Sequence, residues 1–208
     1  MPHFRFTESI QSTPKPHDTG ALKVARHDWL AAADNADRGD IAQSILDDPR
    51  TGAILDCIFG NSPFLTMSAI RDPKFVCDLL EIGPDEAISR ILSLVTQKSK
   101  ESLNDSDIAQ ILRIAKRHAA LTIALADING IWTLEQVTSS LSNFADAALD
   151  LAAAHLLREG ARQGAFELSN PDDPLHDCGL IIIGMGKLGA HELNYSSDID
   201  LIVLYDTD

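Results

Sequence analysis

The residues most able to do chemistry stand near the end of the chain, where Asp198 and Asp200 flank Ile199 and precede an apolar run. Side chains alternate across a β-strand, so residues two positions apart share one face. A strand over 199–205 would direct both carboxylates to one side and send Ile199 and Leu201 into a core. Two adjacent carboxylates repel each other unless a cation lies between them, and a hard ion such as Mg²⁺ suits oxygen ligands. We therefore predict that Asp198 and Asp200 bind a divalent metal.

A glycine-rich turn precedes these acids. Residues 184–189, Gly-Met-Gly-Lys-Leu-Gly, follow the β-branched run 178–183, which predicts a buried strand. The turn matches the dinucleotide-binding spacing GxGxxG, but only eight residues separate it from Asp198, too few for the crossover helix of a parallel βαβ unit. The loop GxxxxGK[ST] is excluded because Leu188 stands where Ser or Thr would hold Mg²⁺. What the turn offers is backbone N–H groups for phosphate, with the cation of Lys187 nearby.

Simpler structural roles compete with these assignments. Lys187 could pair with Glu192 instead of phosphate, and the two aspartates could be solubilising charges at a strand edge. His155 lies on the apolar stripe of a long helix, which favours a packed histidine over a catalytic one.

The elements that must position the turn and the acids are mostly helices. Apolar residues recur with a 3.6-residue period over 106–129, and Thr133 with Gln136 forms a capping box that opens the longest predicted helix. Shorter helices, separated by Gly and Pro breakers, are predicted over 21–33, 51–59, 64–70, 74–80 and 85–97. Prolines at 2, 14 and 16 predict a flexible N-terminal arm over 1–20, and the polar segment 170–174 predicts a domain boundary. We therefore predict a mainly α chain, helical over 21–170, with a β-turn-β piece over 171–208.

Composition narrows the class of partner. The chain has 17 Lys and Arg against 31 Asp and Glu, a formal net charge of −14, which disfavours non-specific binding to nucleic acid or an anionic membrane. Cys57, Cys77 and Cys178 form no CxxC pair, so we expect reduced thiols in a cytoplasmic protein rather than disulfides or a zinc site. No apolar run reaches the length of about 18 residues that spans a bilayer, and the N-terminus lacks a secretory apolar region.

The glycine turn followed by Asp-x-Asp in a strand resembles the motif of polymerase-β-like nucleotidyltransferases, so the terminal piece is expected to begin an α+β domain of that kind. The longer string around Glu-Leu-Asn-Tyr-Ser-Ser-Asp-Ile-Asp at 192–200 resembles the signature of the glutamine synthetase adenylyltransferase family. Upstream, Ser62-Pro63-Phe64-Leu65, Arg71-Asp72-Pro73 and the helix over 112–127 resemble the helical region before the first catalytic domain of that family.

The resemblance implies a specific reaction and specific ligands. It points to the N-terminal of two catalytic domains, which in the family removes AMP from a tyrosine of glutamine synthetase by phosphorolysis and releases ADP. The other domain attaches AMP from ATP. Glutamine synthetase is the implied partner, together with a nitrogen-regulatory signalling protein that would bind regions outside this sequence. By resemblance, Asp198 and Asp200 are the catalytic Mg²⁺ ligands, and the residues near the phosphates of ATP or ADP are Gly184, Gly186, Lys187 and Ser197.

A third carboxylate is expected outside this sequence, because such sites take one from a later strand. Asp206 lies too far along the same strand to replace it. Two alternatives stay open: a non-catalytic helical interaction module that retains only part of the site, or another nucleotidyltransferase of the same superfamily with a different acceptor.

Overall fold

The computed structural model describes residues 4–206, and most of them are helical. A 3₁₀ helix (Arg5–Ser9) is followed by α1 (Thr19–Asn35), α2 (Gly39–Asp47), α3 (Pro49–Asn61), α4 (Pro63–Arg71), α5 (Pro73–Ile82), α6 (Pro84–Lys98), α7 (Asp105–Ile128) and α8 (Leu134–Arg162). The strands β1 (Leu180–Gly184) and β2 (Leu201–Tyr205) come last, with the short helix α9 (Gly186–Gly189) between them. The predicted fold class, mainly α with a small β part, is confirmed.

The chain divides into two compact units. Unit 1 comprises residues 1–88 and 120–133, and unit 2 comprises residues 89–119 and 134–208. The polar segment around residue 170 connects α8 to β1 within unit 2. The chain passes from one unit to the other at 88–89 within α6, at 119–120 within α7 and at 133–134 directly before α8. A domain boundary near residue 170 stays a prediction.

Local sequence signals explain where the helices of unit 1 begin. The side chains of Asp18, Asp48, Ser62 and Asp72 accept hydrogen bonds from backbone N–H groups in the first turns of α1, α3, α4 and α5. A proline follows the cap directly in α3, α4 and α5, where its fixed φ favours the first helical turn. Helix α2, which the sequence analysis does not predict, buries Ala42, Ile45 and Leu46 at the i, i+3, i+4 spacing of one helix face.

The segment before α1 is packed, so the prediction of a flexible arm is wrong for residues 4–18. Phe4 and Phe6 are buried among the core residues of unit 1. The Gln11 N–H donates to the carbonyl of Asn129 at 3.1 Å, and the Thr13 hydroxyl donates to the Asn129 side-chain oxygen at 2.7 Å. Prolines indicate extended backbone here, and the two phenylalanines supply the contacts. Residues 1–3 lie outside the described part of the chain.

In unit 2, polar contacts hold α8 to the segment around residues 99–105. The guanidinium of Arg158 donates to the carbonyl oxygens of Ser99 at 2.6 Å and Glu101 at 3.3 Å. Nε2 of His155 lies 2.6 Å from Oδ1 of Asp105, and the histidine side chain is largely buried. His155 therefore has a structural partner, in keeping with its interpretation as a packed histidine.

The two strands form an antiparallel ribbon. Leu180 is opposite Tyr205 at one end, and Gly184 is opposite Leu201 at the other. Antiparallel pairing excludes a parallel βαβ unit for these two strands, in agreement with the length argument from the sequence. Within residues 4–206, no helix combines the length and apolar character required to cross a membrane.

Candidate functional site

The glycine turn is built as one short helical turn directly after β1. The N–H of Gly189 donates to the Met185 carbonyl at 3.1 Å, and the N–H of Ala190 donates to the Gly186 carbonyl at 3.0 Å. The glycine segment itself therefore forms the short helix α9. The backbone of the turn therefore stays close to the end of β1.

Two of the glycines are required by geometry. Gly186 has φ of +54°, a left-handed conformation that side chains with a Cβ rarely adopt. A Cβ on Gly189 would stand 2.3 Å from the carbonyl oxygen of Gly184, a distance at which the backbone would have to move. A Cβ on Gly184 would lie 3.0 Å from Cγ of Leu188, so Gly184 faces the Leu188 side chain and not an open space for phosphate. The glycine pattern is thus explained first by the tightness of the turn.

Asp198 and Asp200 both lie before β2 and not within it. The strand begins at Leu201, so the prediction of a strand from residue 199 is wrong, and alternation along a strand does not orient the pair. Ile199 and Leu201 are 42% and 37% exposed, so they do not enter a core formed by residues 4–206. The physical reason is that β1 ends at Gly184, opposite Leu201, and offers no partner for residues 198–200.

Backbone pairing brings Asp200 to the glycine turn. The N–H of Met185 donates to the backbone carbonyl of Asp200 at 2.8 Å, just beyond the end of the ribbon. On the side-chain side, Oδ2 of Asp200 lies 4.0 Å from the position that a Cβ on Gly186 would occupy. The structure therefore places a carboxylate against the one position of the turn that combines a positive φ with an unobstructed face. Asp198, Asp200 and Lys187 are all exposed.

A network of hydrogen bonds orders the loop that leads to the acids. The Ser197 hydroxyl donates to Oδ1 of Asn194 at 2.7 Å, and the N–H of Asn194 donates back to the Ser197 oxygen at 3.3 Å. The same Asn194 oxygen accepts from the N–H of Ser196 at 3.1 Å. Ser197 is thus engaged within the loop, directly before Asp198. Asn194 is a residue that the sequence analysis does not single out, although Asn followed by two Ser is a typical side-chain-to-backbone turn.

Helix α8 packs against this loop and forms a hydrogen bond with it. The buried N–H of Leu193 donates to the Ser142 hydroxyl at 3.2 Å, and that hydroxyl donates to the Thr138 carbonyl at 2.9 Å. Ser142 is fully buried. An apolar cluster, in which α8 residues pack against the turn and the loop, surrounds the contact; its members are Leu141, Ala145, Leu149, Leu188 and Leu193. Ser142 lies 51 positions from Leu193, so no local signal in the sequence reveals this anchor.

The competing ion pair for Lys187 is not formed among the described residues. Glu192 contacts Lys187 through the backbone, its N–H donating to the Lys187 carbonyl at 2.8 Å. The neighbouring His191 pairs with an acid of α8, its Nε2 lying 3.9 Å from Oδ2 of Asp146. The Lys187 ammonium is therefore exposed and available to an anionic ligand.

The donor set of the site fits Mg²⁺ as a nucleotide-bound ion rather than as an ion in a protein cage. Residues 4–206 contain no group of three His, Cys, Asp or Glu side chains arranged to hold a metal. Mg²⁺ is commonly bound by one or two carboxylates, with waters and phosphate oxygens as its other ligands. Asp198 and Asp200 could supply those two carboxylates, and phosphate would reach the ion across the glycine turn.

A tight glycine turn and two exposed carboxylates at one end of an antiparallel ribbon define a candidate site for phosphate and a divalent cation. Residues 53–208, which include the glycine turn and both acids, match the model of the glutamate-ammonia ligase adenylyltransferase family. The chain belongs to this family. The resemblance inferred from the motif at 184–202 is thereby confirmed.

Individual curated relatives are also named as adenylyltransferases. The chain is 44% identical over 153 residues to a bifunctional glutamine synthetase adenylyltransferase/adenylyl-removing enzyme of Bartonella henselae, with 73% of this chain and 16% of the relative covered. It is 38% identical over 199 residues to the enzyme of that name from Bradyrhizobium sp. strain ORS 278, covering 93% of this chain and 20% of the relative. The Rhodopseudomonas palustris BisB5 relative is 37% identical over 196 residues, covering 94% and 20%. The chain thus spans a fifth or less of these curated relatives.

Proposed function

We propose that this chain carries the first part of a nucleotidyltransferase site that removes AMP from adenylylated glutamine synthetase. The supporting observation is the position of the Asp200 carboxylate against Gly186, with Asp198 two residues before it and Lys187 exposed in the turn. The relatives are named as both adenylyltransferases and adenylyl-removing enzymes, and the N-terminal form of the motif favours the second activity. The proposed reaction takes place in the cytoplasm.

The reaction is the transfer of an adenylyl group from tyrosine to inorganic phosphate, by displacement at phosphorus. An oxygen of inorganic phosphate attacks the phosphorus of the tyrosine-linked AMP, the bond from phosphorus to the tyrosine oxygen breaks, ADP forms, and the tyrosine regains a proton. A bound Mg²⁺ would neutralise charge on the phosphate oxygens and help to align the attacking oxygen. A third carboxylate would come from outside residues 4–206.

The chain's own residues have distinct tasks in this proposal. Asp198 and Asp200 hold the cation, and the ammonium of Lys187 attracts a phosphate oxygen as a point charge. Gly186 leaves room for the nucleotide phosphates close to the backbone. Ser197, which hydrogen-bonds with Asn194, sets the start of the segment that carries the acids. Gly184 contributes by closing the turn, because its free face meets Leu188.

The test compares the chain with Asp198→Asn, Asp200→Asn and the control Asp173→Asn, which changes an exposed acid of unit 2 in the segment before β1. Binding of ADP is measured by calorimetry with and without Mg²⁺. We expect the Mg²⁺-dependent part of the affinity to fall at least about tenfold in either site variant, since each removes a charged ligand. It should be unchanged in the control. Equal affinities in all four proteins would contradict the assigned ligands.

Activity is tested separately, by release of ADP from adenylylated glutamine synthetase in the presence of inorganic phosphate. Release that needs Asp198 and Asp200 supports the proposed reaction. Mg²⁺-dependent binding of ADP without release would favour the non-catalytic interaction module. Turnover with another adenylylated acceptor, but not with glutamine synthetase, would favour a different nucleotidyltransferase of the superfamily.

A further inference from the structure

Unit 1 contains an open groove between two helix faces, which we call the α1–α4 groove. Its volume is about 720 Å³. Each wall has the i, i+3, i+4, i+7 spacing of one helix face: Ala21, Val24, Ala25 and Asp28 on α1, and Pro63, Thr66, Met67 and Ile70 on α4. Phe59 and Gly60 of α3 also line it. All the lining residues belong to unit 1.

The walls expose apolar surface that internal packing does not use. Val24 is 62% exposed and Met67 is 50% exposed, whereas Ala25 beside Val24 is buried and Thr66 and Ile70 beside Met67 are half-buried. Ala25 and Phe59, which also line the groove, are 5% and 3% exposed and belong to the core of unit 1. An apolar surface that continues from a core to solvent between two helices is the type of groove that receives a third helix.

The charge of the groove indicates the chemistry of its occupant. The ionised side chains that line it are carboxylates, those of Asp18 and Asp28, at opposite ends of the α1 wall. His17 is the other titratable lining residue, and no Lys or Arg is among the lining residues. A partner that covers the apolar walls would therefore meet negative charge at both ends, so basic residues on either side of an apolar stripe fit it best.

The length of the walls sets the size of the contact. The seven helical steps from Ala21 to Asp28 correspond to a rise of about 10 Å, or roughly two helical turns. Two turns place about three apolar side chains of a partner helix on one face. We propose that the α1–α4 groove binds an amphipathic helix of a partner protein, with its apolar stripe on Val24 and Met67 and basic residues near Asp18 and Asp28. This inference is independent of the nucleotidyltransferase site.

Two labelled probe peptides test the proposal by fluorescence anisotropy. Both have about 14 residues, or four helical turns, with leucine at the i, i+3, i+4, i+7 positions; one carries lysine at the other positions and its counterpart carries glutamate. The protein variants are Met67→Gln, which keeps size and removes apolar character, and Asp28→Asn. Phe64→Gln is the matched control, because Phe64 lies on α4, is 66% exposed, and does not line the groove.

The proposal requires saturable binding of the lysine peptide and weaker binding of the glutamate peptide. Met67→Gln should weaken the lysine peptide about tenfold, as expected for loss of one buried apolar side chain. Asp28→Asn should weaken it about threefold and reduce the salt dependence. Phe64→Gln should have no effect.

Three outcomes would overturn the proposal. They are no saturable binding of the lysine peptide, an equal effect of Phe64→Gln and Met67→Gln, and equal affinity for both peptides. Light scattering over a range of protein concentrations adds a fourth. A dimer of the chain that Met67→Gln abolishes would mean that a second copy occupies the groove instead of a partner helix. Circular dichroism establishes that each variant keeps its helices.

Discussion

Replacing Ser142 with alanine tests whether α8 holds the candidate site in place. The Ser142 hydroxyl accepts the hydrogen bond of the Leu193 N–H at 3.2 Å, in the loop that leads to Asp198 and Asp200. Leu193 is 6% exposed and Ser142 is fully buried, so water cannot replace the hydroxyl without a rearrangement. A buried N–H left without an acceptor costs about 1–3 kcal/mol. The change removes only one oxygen, so the cavity contribution should be small.

The measurement must report on unit 2. Both tryptophans, Trp29 and Trp132, lie in unit 1, so intrinsic fluorescence would miss the effect. Hydrogen exchange followed by mass spectrometry, on peptides covering residues 186–200, reads the local opening directly. A loss of about 1–3 kcal/mol should speed exchange of the protected amides there by about 5- to 150-fold. Peptides from unit 1 should exchange as before.

Ser140→Ala provides the matched control. Ser140 is a half-buried serine on α8, two positions before Ser142, and its side chain forms no hydrogen bond with residues 4–206. If Ser142→Ala and Ser140→Ala leave residues 186–200 equally protected, the hydrogen bond does not hold the loop and the reasoning fails. If the loop does open in Ser142→Ala, the Mg²⁺-dependent binding of ADP should weaken in that variant alone.

Two further predictions concern unit 1 and the thiols. Cys77 is fully buried, and burial raises the pKa of its thiol to about 12. Iodoacetamide at pH 8 should therefore modify the half-buried Cys178 well before Cys77. Equal rates of modification of the two thiols, measured by mass spectrometry, would contradict this. Asp48→Ala should cost unit 1 about 1 kcal/mol in urea unfolding followed by tryptophan fluorescence, because Asp48 caps α3. The backbone N–H of Thr51 lowers the pKa of Asp48, so this contribution is present above about pH 4 and lost as the pH falls through the folded-state pKa. If the difference between wild type and variant does not shrink as the pH falls below about 4, the ionised carboxylate does not supply this contribution.

Helix borders were predictable where a short polar side chain precedes proline. The pairs Ser62-Pro63 and Asp72-Pro73 begin α4 and α5, and in each the capping side chain accepts a hydrogen bond from the backbone of the first turn. These signals are local, so they survive in the fold. The packing of Phe4 and Phe6 was not predictable in the same way, because it depends on core residues far along the chain.

The candidate site shows the same separation between local and distant causes. The string around Asp198 and Asp200 was sufficient to predict the family, because a motif is a local pattern. The Ser142 contact was invisible in the sequence, since a serine in the middle of a helix carries no sign of a partner 51 positions away. The position of the acids before β2 also depends on the partner strand, because β1 ends at Gly184 and strand pairing therefore stops at Leu201.

The exposure of β2 shows that strand formation and burial have different causes. Residues 201–205 are apolar at successive positions, a pattern typical of strands covered on both faces. In the ribbon, every one of these residues is exposed, from Leu201 at 37% to Tyr205 at 75%. Periodicity reports that a segment forms a strand, whereas burial depends on what packs against the sheet. Among residues 4–206 the side chains of β2 are exposed, so the apolar run predicts the strand correctly and further predicts that other parts of the protein pack against it.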